Sequence, residues 1–331
     1  MAAARHHAAL RFQLFRMKLI MISGRSLRAH SPILHDITGA ARRVTLPVKG
    51  NRGLRVAGNG ARENTTDHGP PPLSRVALVL SAGAMFGAYQ AGAWKALAPR
   101  FAPDAVVGAS VGSLNGWAIA GGIDPDLLIE RWLGAEAAGR LKFRWPAHRL
   151  DGMMSVPYLE EWIREMHGRF TPRVRYGAVL TRVWPLRPAL VQAPNVTWRH
   201  LASSCAMPVL FPHYRLDGVV YTDGGLLGAL PLWPVREFGC DRAIAINCLP
   251  VPPVPGGRWM GRVLRAVSRQ ASGAGEDIRV LTIVPSEPLG GMTDFLRWKR
   301  ENAERWVERG FLDATAAIEG NAEFFRGGSA R

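Results

Sequence analysis

One serine in this sequence stands between two glycines, Gly108-Ala109-Ser110-Val111-Gly112, and this is the spacing of a strand-to-helix nucleophile turn. Such a turn lifts the hydroxyl off the end of a sheet and aims helix amides at the negative charge that develops on an attacked carbonyl. Here the apolar run Ala105-Val106-Val107 comes before it, and a helical pattern follows through Ala120. Elsewhere in a chain the same five residues would be a small-residue turn packing a helix on a strand. The flanking elements favour the nucleophile.

A serine hydroxyl needs a base. In the order usual for α/β-hydrolases, the histidine of a triad comes late in the chain. The nine histidines stand at 6, 7, 30, 35, 68, 148, 167, 200 and 213, so residues 214–331 contain none. His200 and His213 remain as bases for a Ser–His pair. The other choice is a carboxylate: Asp223, in Tyr221-Thr222-Asp223-Gly224-Gly225, ends an expected strand, where α/β folds collect catalytic groups. Gly224 and Gly225 let the chain turn there and leave room beside the carboxylate. Asp-Gly is also an ordinary turn, and these residues alone do not decide between the two.

The elements that must position these groups read as a parallel α/β domain. Val76-Ala77-Leu78-Val79-Leu80 is continuously apolar, as in a strand buried on both faces. A small-residue loop and a helical pattern over 87–98 follow it. The second strand–loop–helix unit, around Ser110, comes within the next few tens of residues, and this repetition is the mark of a parallel sheet. Further strands are expected at 177–183, 189–192, 219–222, 243–248 and 280–284. Helices are expected at 126–133, 158–167, 258–272 and 298–318. Asp217-Gly218 reads as the two-residue turn of a hairpin.

The chain has 331 residues, 47% hydrophobic and 21% charged, enough for a substantial core. That composition excludes a mainly disordered or collagen-like chain. No apolar stretch reaches the ~18 residues of a transmembrane helix. The net charge of +16 is unevenly placed: residues 1–74 hold 12 Lys and Arg against three acids, a net of +9. Residues 75–331 hold the other 30 basic and 23 acidic side chains, a net of +7. Residues 1–74 are therefore read as a basic, disordered extension that closes at Gly69-Pro70-Pro71-Pro72. The body demands no specific nucleic-acid partner. Cys205, Cys240 and Cys248 form no ligand pattern and read as buried thiols of a reducing compartment. A start later than Met1 is compatible with the tail. No export signal is recognised, so the sequons at Asn64 and Asn195 carry no weight.

Four ordered motifs between Arg75 and Leu249 resemble the patatin-like phospholipases. They are Gly87-Ala88-Tyr89-Gln90-Ala91-Gly92, Gly108–Gly112, Ser204-Cys205-Ala206-Met207-Pro208 and Asp223-Gly224-Gly225. The resemblance implies a three-layer α/β/α patatin-like fold with a mainly parallel central sheet, spanning 75–331, with a motif core at 75–249 and strand and helices at 250–331. It implies a Ser–Asp dyad acyl hydrolase cleaving fatty-acyl esters, with Ser110 as nucleophile and Asp223 as general base. No metal or organic cofactor is implied. The implied partners are a lipid or acyl-ester substrate and a membrane surface, for a cytoplasmic protein peripheral to the membrane; oligomeric state is left open.

The oxyanion loop departs from the family pattern. Where the family has G-G-G-x-R/K-G, this chain has Ala82-Gly83-Ala84-Met85-Phe86-Gly87, with Phe86 at the basic position. The amides of Gly83 and Ala84, with Val111, are the candidate oxyanion donors, and a lost donor costs about 3–4 kcal/mol. A non-catalytic or partner-dependent lipid-binding protein is therefore the alternative. The chain is also rich in tryptophan. Trp132, Trp145, Trp162, Trp184 and Trp198 fall where a lid or acyl pocket would form. Trp259, Trp298 and Trp306 stand among basic residues, a pattern that suits a membrane interface as well as a core.

Overall fold

The computed structural model describes residues 75–135, 142–148, 150–250 and 278–325. The basic extension, Trp259 and the helix expected at 258–272 lie outside the described residues.

Strand β1 (Val76–Leu80) is buried at every position. The chain then passes through a 3-10 turn (Ala84–Phe86) into α1 (Gly87–Leu97). Strand β2 (Ala105–Ala109) leads through Ser110 directly into α2 (Val111–Ala120), whose ten residues are all buried. Helix α3 (Pro125–Leu133) starts on Asp124, whose carboxylate accepts the amides of Asp126 and Leu127. A small hairpin of β3 (Lys142–Phe143) and β4 (Met154–Ser155) stands apart from the main sheet. Then come α4 (Pro157–Arg169), β5 (Arg175–Arg182), β6 (Arg187–Gln192) and α5 (Trp198–Ser204). The expected hairpin forms as β7 (Tyr214–Leu216) and β8 (Val219–Thr222). A second 3-10 segment (Trp233–Phe238), β9 (Arg242–Ile246), β10 (Arg279–Ile283), α6 (Met292–Leu296), α7 (Arg300–Gly320) and α8 (Ala322–Phe325) complete the described chain.

The main sheet runs β10-β9-β1-β2-β5-β8-β7, with β6 also paired to β5. The five strands from β10 to β5 are mutually parallel, and β6, β8 and β7 are antiparallel additions at one side. This is the mixed α/β architecture with a mainly parallel sheet that the motifs imply. Alternate strand residues divide between two cores. Leu78, Leu80, Val106, Leu180 and Ile244 face helices α1, α2, α4, α5 and α7. Ala77, Val79, Val107 and Ala245 face Val235 and Phe238 of the second 3-10 segment.

Register sets the site. Leu80 lies opposite Gly108 on one side and Ile246 on the other, so the β1, β2 and β9 strands end in line. Ala109 pairs with Val179 of β5, and Thr222 pairs with Thr181 of the same strand. The residues that follow, Ser110 and Asp223, therefore leave their strands at nearly one level.

The short helical segments escape the periodicity: the Ala84–Phe86 turn, α5, the Trp233–Phe238 turn, α6 and α8. Each is too short to show an apolar stripe. Strand β9 ends at Ile246, two residues before the expected end, because Asn247 and Cys248 turn away beneath the β1 loop. Helix α7 spans 21 residues but carries many charges, and among the described residues no helix is long and apolar enough to cross a membrane.

Helices α1 and α7 cross at van der Waals contact of their backbones. A Cβ on Gly92 would meet the Val307 carbonyl, and one on Gly310 would meet the Tyr89 carbonyl. Gly310→Ala is expected to cost about 1–3 kcal/mol by overpacking, read as a lowered urea midpoint. Gly320→Ala, where a Cβ meets nothing within 4 Å, should move the midpoint by less than about 0.5 kcal/mol.

Candidate active site

Ser110 sits between β2 and α2 at φ 53°, ψ −127°, a left-handed conformation that costs a non-glycine residue energy. The fold holds it there by hydrogen bonds. The Ser110 amide donates to Ser204 Oγ at 2.8 Å, and Ser204 Oγ in turn donates to the Val179 carbonyl at 2.7 Å. The Ser110 carbonyl accepts from both the amide and the hydroxyl of Ser113, at 2.8 and 2.6 Å. Gly108 and Gly112 are needed for closeness rather than for backbone freedom. A Cβ on Gly108 would fall on the Gly112 carbonyl, and one on Gly112 on the carbonyls of Leu80 and Ser81.

Ser110 Oγ donates to Asp223 Oδ2 at 2.7 Å, and each residue is only 6% exposed. The other carboxylate oxygen, Oδ1, accepts the Gly225 amide at 2.8 Å. Burial pushes the Asp223 carboxyl up to about 6, against the opposing pull of the Ser110 and Gly225 hydrogen bonds. The Ser204 to Pro208 motif is the frame for this carboxylate. The Asp223 amide donates to the Ala206 carbonyl and the Gly224 amide to the Ser204 carbonyl, both at 2.9 Å, while Thr222 Oγ1 donates to Ala206 at 2.8 Å. Gly224 lies against the Val179 carbonyl and Gly225 against the Ala82 methyl, positions where a side chain would not fit.

The histidines have other partners. The His200 ring closes a capping box with Thr197 at the start of α5, and the His213 ring bonds to the Phe211 carbonyl at 3.1 Å. The Ser110 hydroxyl is bonded to Asp223 and to neither ring.

The loop after β1 is the third component. Ala82 is tied to the Ala229 carbonyl at 2.8 Å, and the Phe86 amide closes onto Gly83 at 2.9 Å. Ala84 adopts φ 45°, so a left-handed turn is made here without glycine. Among the described residues neither the Gly83 nor the Ala84 amide donates a hydrogen bond. The Val111 amide opens α2, where helix donors have no partner within the helix. Phe86 takes no part in the polar lining. It is 3% exposed and makes edge-on contacts with Phe295 and Trp306, with ring centroids 5.6 and 5.1 Å away.

A buried polar network supports this loop from behind. Gln90 Nε2 donates to the Ser81 carbonyl at 2.7 Å and reaches Cys248 Sγ at 3.4 Å. The Cys248 amide donates to Ser81 Oγ at 3.0 Å. Asn115 Nδ2 donates to the Gly87 carbonyl and to Gln90 Oε1, at 3.0 and 2.9 Å, while Asn115 Oδ1 accepts Trp132 Nε1 at 3.0 Å. Sequence reasoning assigned no role to Ser81, Gln90, Asn115 or Cys248. The available signal was a single amide side chain in each of two largely apolar helices. Among the described residues no cluster of His, Cys, Asp or Glu is arranged to hold a metal ion.

An apolar pocket opens beside Ser110. Its walls include Leu114, Trp132, Trp162, Met207, Phe211 and Phe295, with Ala84, Ser110 and Val111 at one end. Trp132 and Trp162 meet edge to face at 5.9 Å. Of the C-terminal tryptophans, for which membrane interface and core were both open, Trp306 is core: it is 1% exposed, and its Nε1 donates to the Leu289 carbonyl at 2.7 Å. Trp298 braces the pocket wall by donating to the Trp132 carbonyl at 2.9 Å.

Residues 78–236 match the model of the patatin-like phospholipase family. Lysophospholipase NTE1 of Cryptococcus neoformans, in two strains, is 25% identical over 186 residues, 52% of this chain but only 11% of the relative. The chain thus spans about a tenth of the length of the curated relatives it matches. Among solved structures, VipD from Legionella pneumophila aligns at 12% identity and TM-score 0.41, over 75% of this chain and 67% of that one. The type III effector ExoU aligns at 13% identity and TM-score 0.36, over 76% and 53%. The match to the patatin-like phospholipase family covers residues 78–236, the segment that holds both Ser110 and Asp223.

Proposed function

We propose that the chain is a serine acyl hydrolase that cleaves fatty-acyl esters of lipids, with Ser110 as nucleophile and Asp223 as general base. The observation that carries this reading is the 2.7 Å hydrogen bond from Ser110 Oγ to Asp223, made at a strained strand-to-helix turn beside an apolar pocket. Ser110 Oγ adds to the ester carbonyl while its proton passes to Asp223. The proton then goes to the departing alcohol as the ester C–O bond breaks, leaving an acyl-enzyme. Water, deprotonated by the same carboxylate, hydrolyses it and restores Ser110. The amides of Gly83, Ala84 and Val111 are the proposed donors to the oxyanion. The family match and the lysophospholipase relative support a lipid ester as substrate. A bilayer surface is the partner such a substrate requires. The proposed domain is 75–331, cytoplasmic and peripheral to the membrane.

A second reading, a lipid-binding protein without turnover, is favoured by Phe86 at the family's basic position. Backbone amides are the donors proposed here, and the Phe86 ring packs between Phe295 and Trp306, away from them. Phe86→Arg would therefore bury a charge and not restore a lost contact. Lipid binding with no Ser110-dependent hydrolysis of any ester would establish this second reading.

Ser110→Ala and Asp223→Asn are each expected to lower kcat on p-nitrophenyl esters by about a thousandfold or more; full activity in either variant would remove the dyad. His200→Ala and His213→Ala should leave the rate within about threefold. Because Asp223 must be ionised to accept the proton, kcat/KM should rise with pH through an acid limb near 6.

Ionising this buried carboxyl also costs stability. Its folded-state value lies above the unfolded 3.8, so the cost is absent below pH 4 and complete above the folded value of about 6. Two pH units correspond to roughly 3 kcal/mol. Asp223→Asn should therefore be more stable than wild type at pH 8 by up to about that amount, with the advantage gone by pH 4, as measured by urea unfolding at both pH values.

A further inference from the structure

We propose that the β3–β4 hairpin is the element that docks the pocket mouth onto an anionic phospholipid bilayer. This rests on the acyl-hydrolase reading for its purpose, but not for its test. The hairpin carries the most exposed aromatic side chains of the described residues: Trp145 is 81% and Phe143 57% exposed, and the two rings meet edge to face at 5.4 Å. An edge-to-face aromatic pair left largely in water forgoes apolar burial, and such an exposed apolar patch marks an interaction surface. Lys142 and Arg144 alternate with them in the sequence Lys142-Phe143-Arg144-Trp145. Aromatic rings bury at the level of lipid headgroups while neighbouring cations meet phosphate, so this alternation suits an anionic interface. The acid of the hairpin, Asp151, lies 3.5 Å from Arg144 and also accepts the amides of Ala147 and His148, so it serves the turn. Lys142 makes no ion pair among the described residues.

The hairpin is also riveted to the pocket. Met153 and Met154 donate their amides to the carbonyls of Val209 and Leu210, both at 2.9 Å, and His213 donates to Leu150 at 2.7 Å. Gly152 lies against the backbone of Leu210 and Phe211 with no room for a Cβ. Val209 itself is held at φ 70°, a conformation costly for a β-branched residue. The segment to which the hairpin is bonded, Val209 and Leu210, lies in the chain between Met207 and Phe211, two walls of the pocket. Immediately after β4, α4 adds exposed Tyr158 next to Leu159, a further wall. A bilayer that receives Phe143 and Trp145 would lie against the mouth through which an acyl chain must enter.

The test is co-sedimentation of the full chain with phosphatidylcholine vesicles, with and without phosphatidylglycerol, in a Ser110→Ala background so that no lipid is consumed. The basic extension is present in every variant, so differences report the hairpin. Phe143→Ala/Trp145→Ala is expected to lower the partition coefficient about tenfold or more on both vesicles. Lys142→Glu/Arg144→Glu should lower it about tenfold on the anionic vesicles and little on the neutral ones. Unchanged melting temperatures would show that these exposed substitutions leave the fold intact. Binding to anionic vesicles equal to that of the parent in both double variants would overturn the proposal, whatever the enzyme's turnover. Loss of binding alongside a wild type that hydrolyses no ester would uphold the docking hairpin and remove the hydrolase instead.

Discussion

The backbone strain at Ser110 is the feature on which the rest of the site depends. A left-handed serine would relax unless its neighbours over-determine it, and here they do. The carbonyl and amide of Ser110 are both taken, by Ser113 and Ser204 respectively. Ser204 is bound in turn to Val179, the residue of β5 that pairs with Ala109. The Gly224 backbone packs against the same Val179 carbonyl. One central strand thus serves as the common reference for the serine, for the motif that holds it and for the turn after the aspartate. Glycines at 108, 112 and 224 are required because backbone touches backbone at each, so the motif residues are the cost of bringing three chain segments to one point.

The electrostatics follow from this compactness. Closing β8, α5 and the β1 loop around Asp223 leaves the carboxylate 6% exposed, and its hydrogen bonds come from Ser110 and Gly225. Among the described residues no cation offsets the desolvation, which is why the carboxyl is raised and not lowered. A carboxylate paired to an arginine at this position would stay ionised at low pH but would be a weaker base for a serine hydroxyl. Phe86 is consistent with that choice. Its position in the family pattern carries a positive charge, and here the side chain is given to the core shared by α6 and α7. The loop keeps its amides and loses a field.

Much of this was legible in the sequence, for identifiable reasons. Strands β1 and β2 read clearly because burial on both faces makes them continuously apolar, and the β7–β8 hairpin read clearly because Asp217-Gly218 marks its turn. The pairing of Ser110 with Asp223 was reached by motif order, since nothing local distinguishes Asp223 from a turn aspartate until the Ser110 hydroxyl is seen 2.7 Å away. Helix α5 was missed although it carries Ser204, which holds the Ser110 amide. Its seven residues span two turns, and its capping box uses His200 in place of the usual glutamate. The same histidine looked like a candidate base because a ring at the surface of a short helix and a ring in a triad are identical in sequence. Trp306 was left open between core and interface for a related reason. A basic neighbourhood along the chain becomes, on a helix, a basic face opposite a buried one, and the indole lies on the buried side.

The polar network behind the β1 loop changes what the pocket and the loop are to each other. Trp132 is a pocket wall, and its indole nitrogen is bonded to Asn115, which holds both Gly87 and Gln90; Gln90 holds Ser81 and touches Cys248. Every member from Asn115 to Cys248 is buried, so each hydrogen bond is expensive to leave unmade. The wall that would receive an acyl chain and the loop that would receive its carbonyl oxygen are consequently parts of one rigid unit. A fold that had to place an apolar substrate and two or three backbone amides within a fraction of an ångström could not use the loop alone, because alanines at 82 and 84 replace family glycines and Ala84 is itself strained at φ 45°. The buried amide side chains of Gln90 and Asn115 provide that constraint from the side opposite the substrate. They are buried amides in two largely apolar helices, and they hold a conformation that the loop's own residue types do not favour.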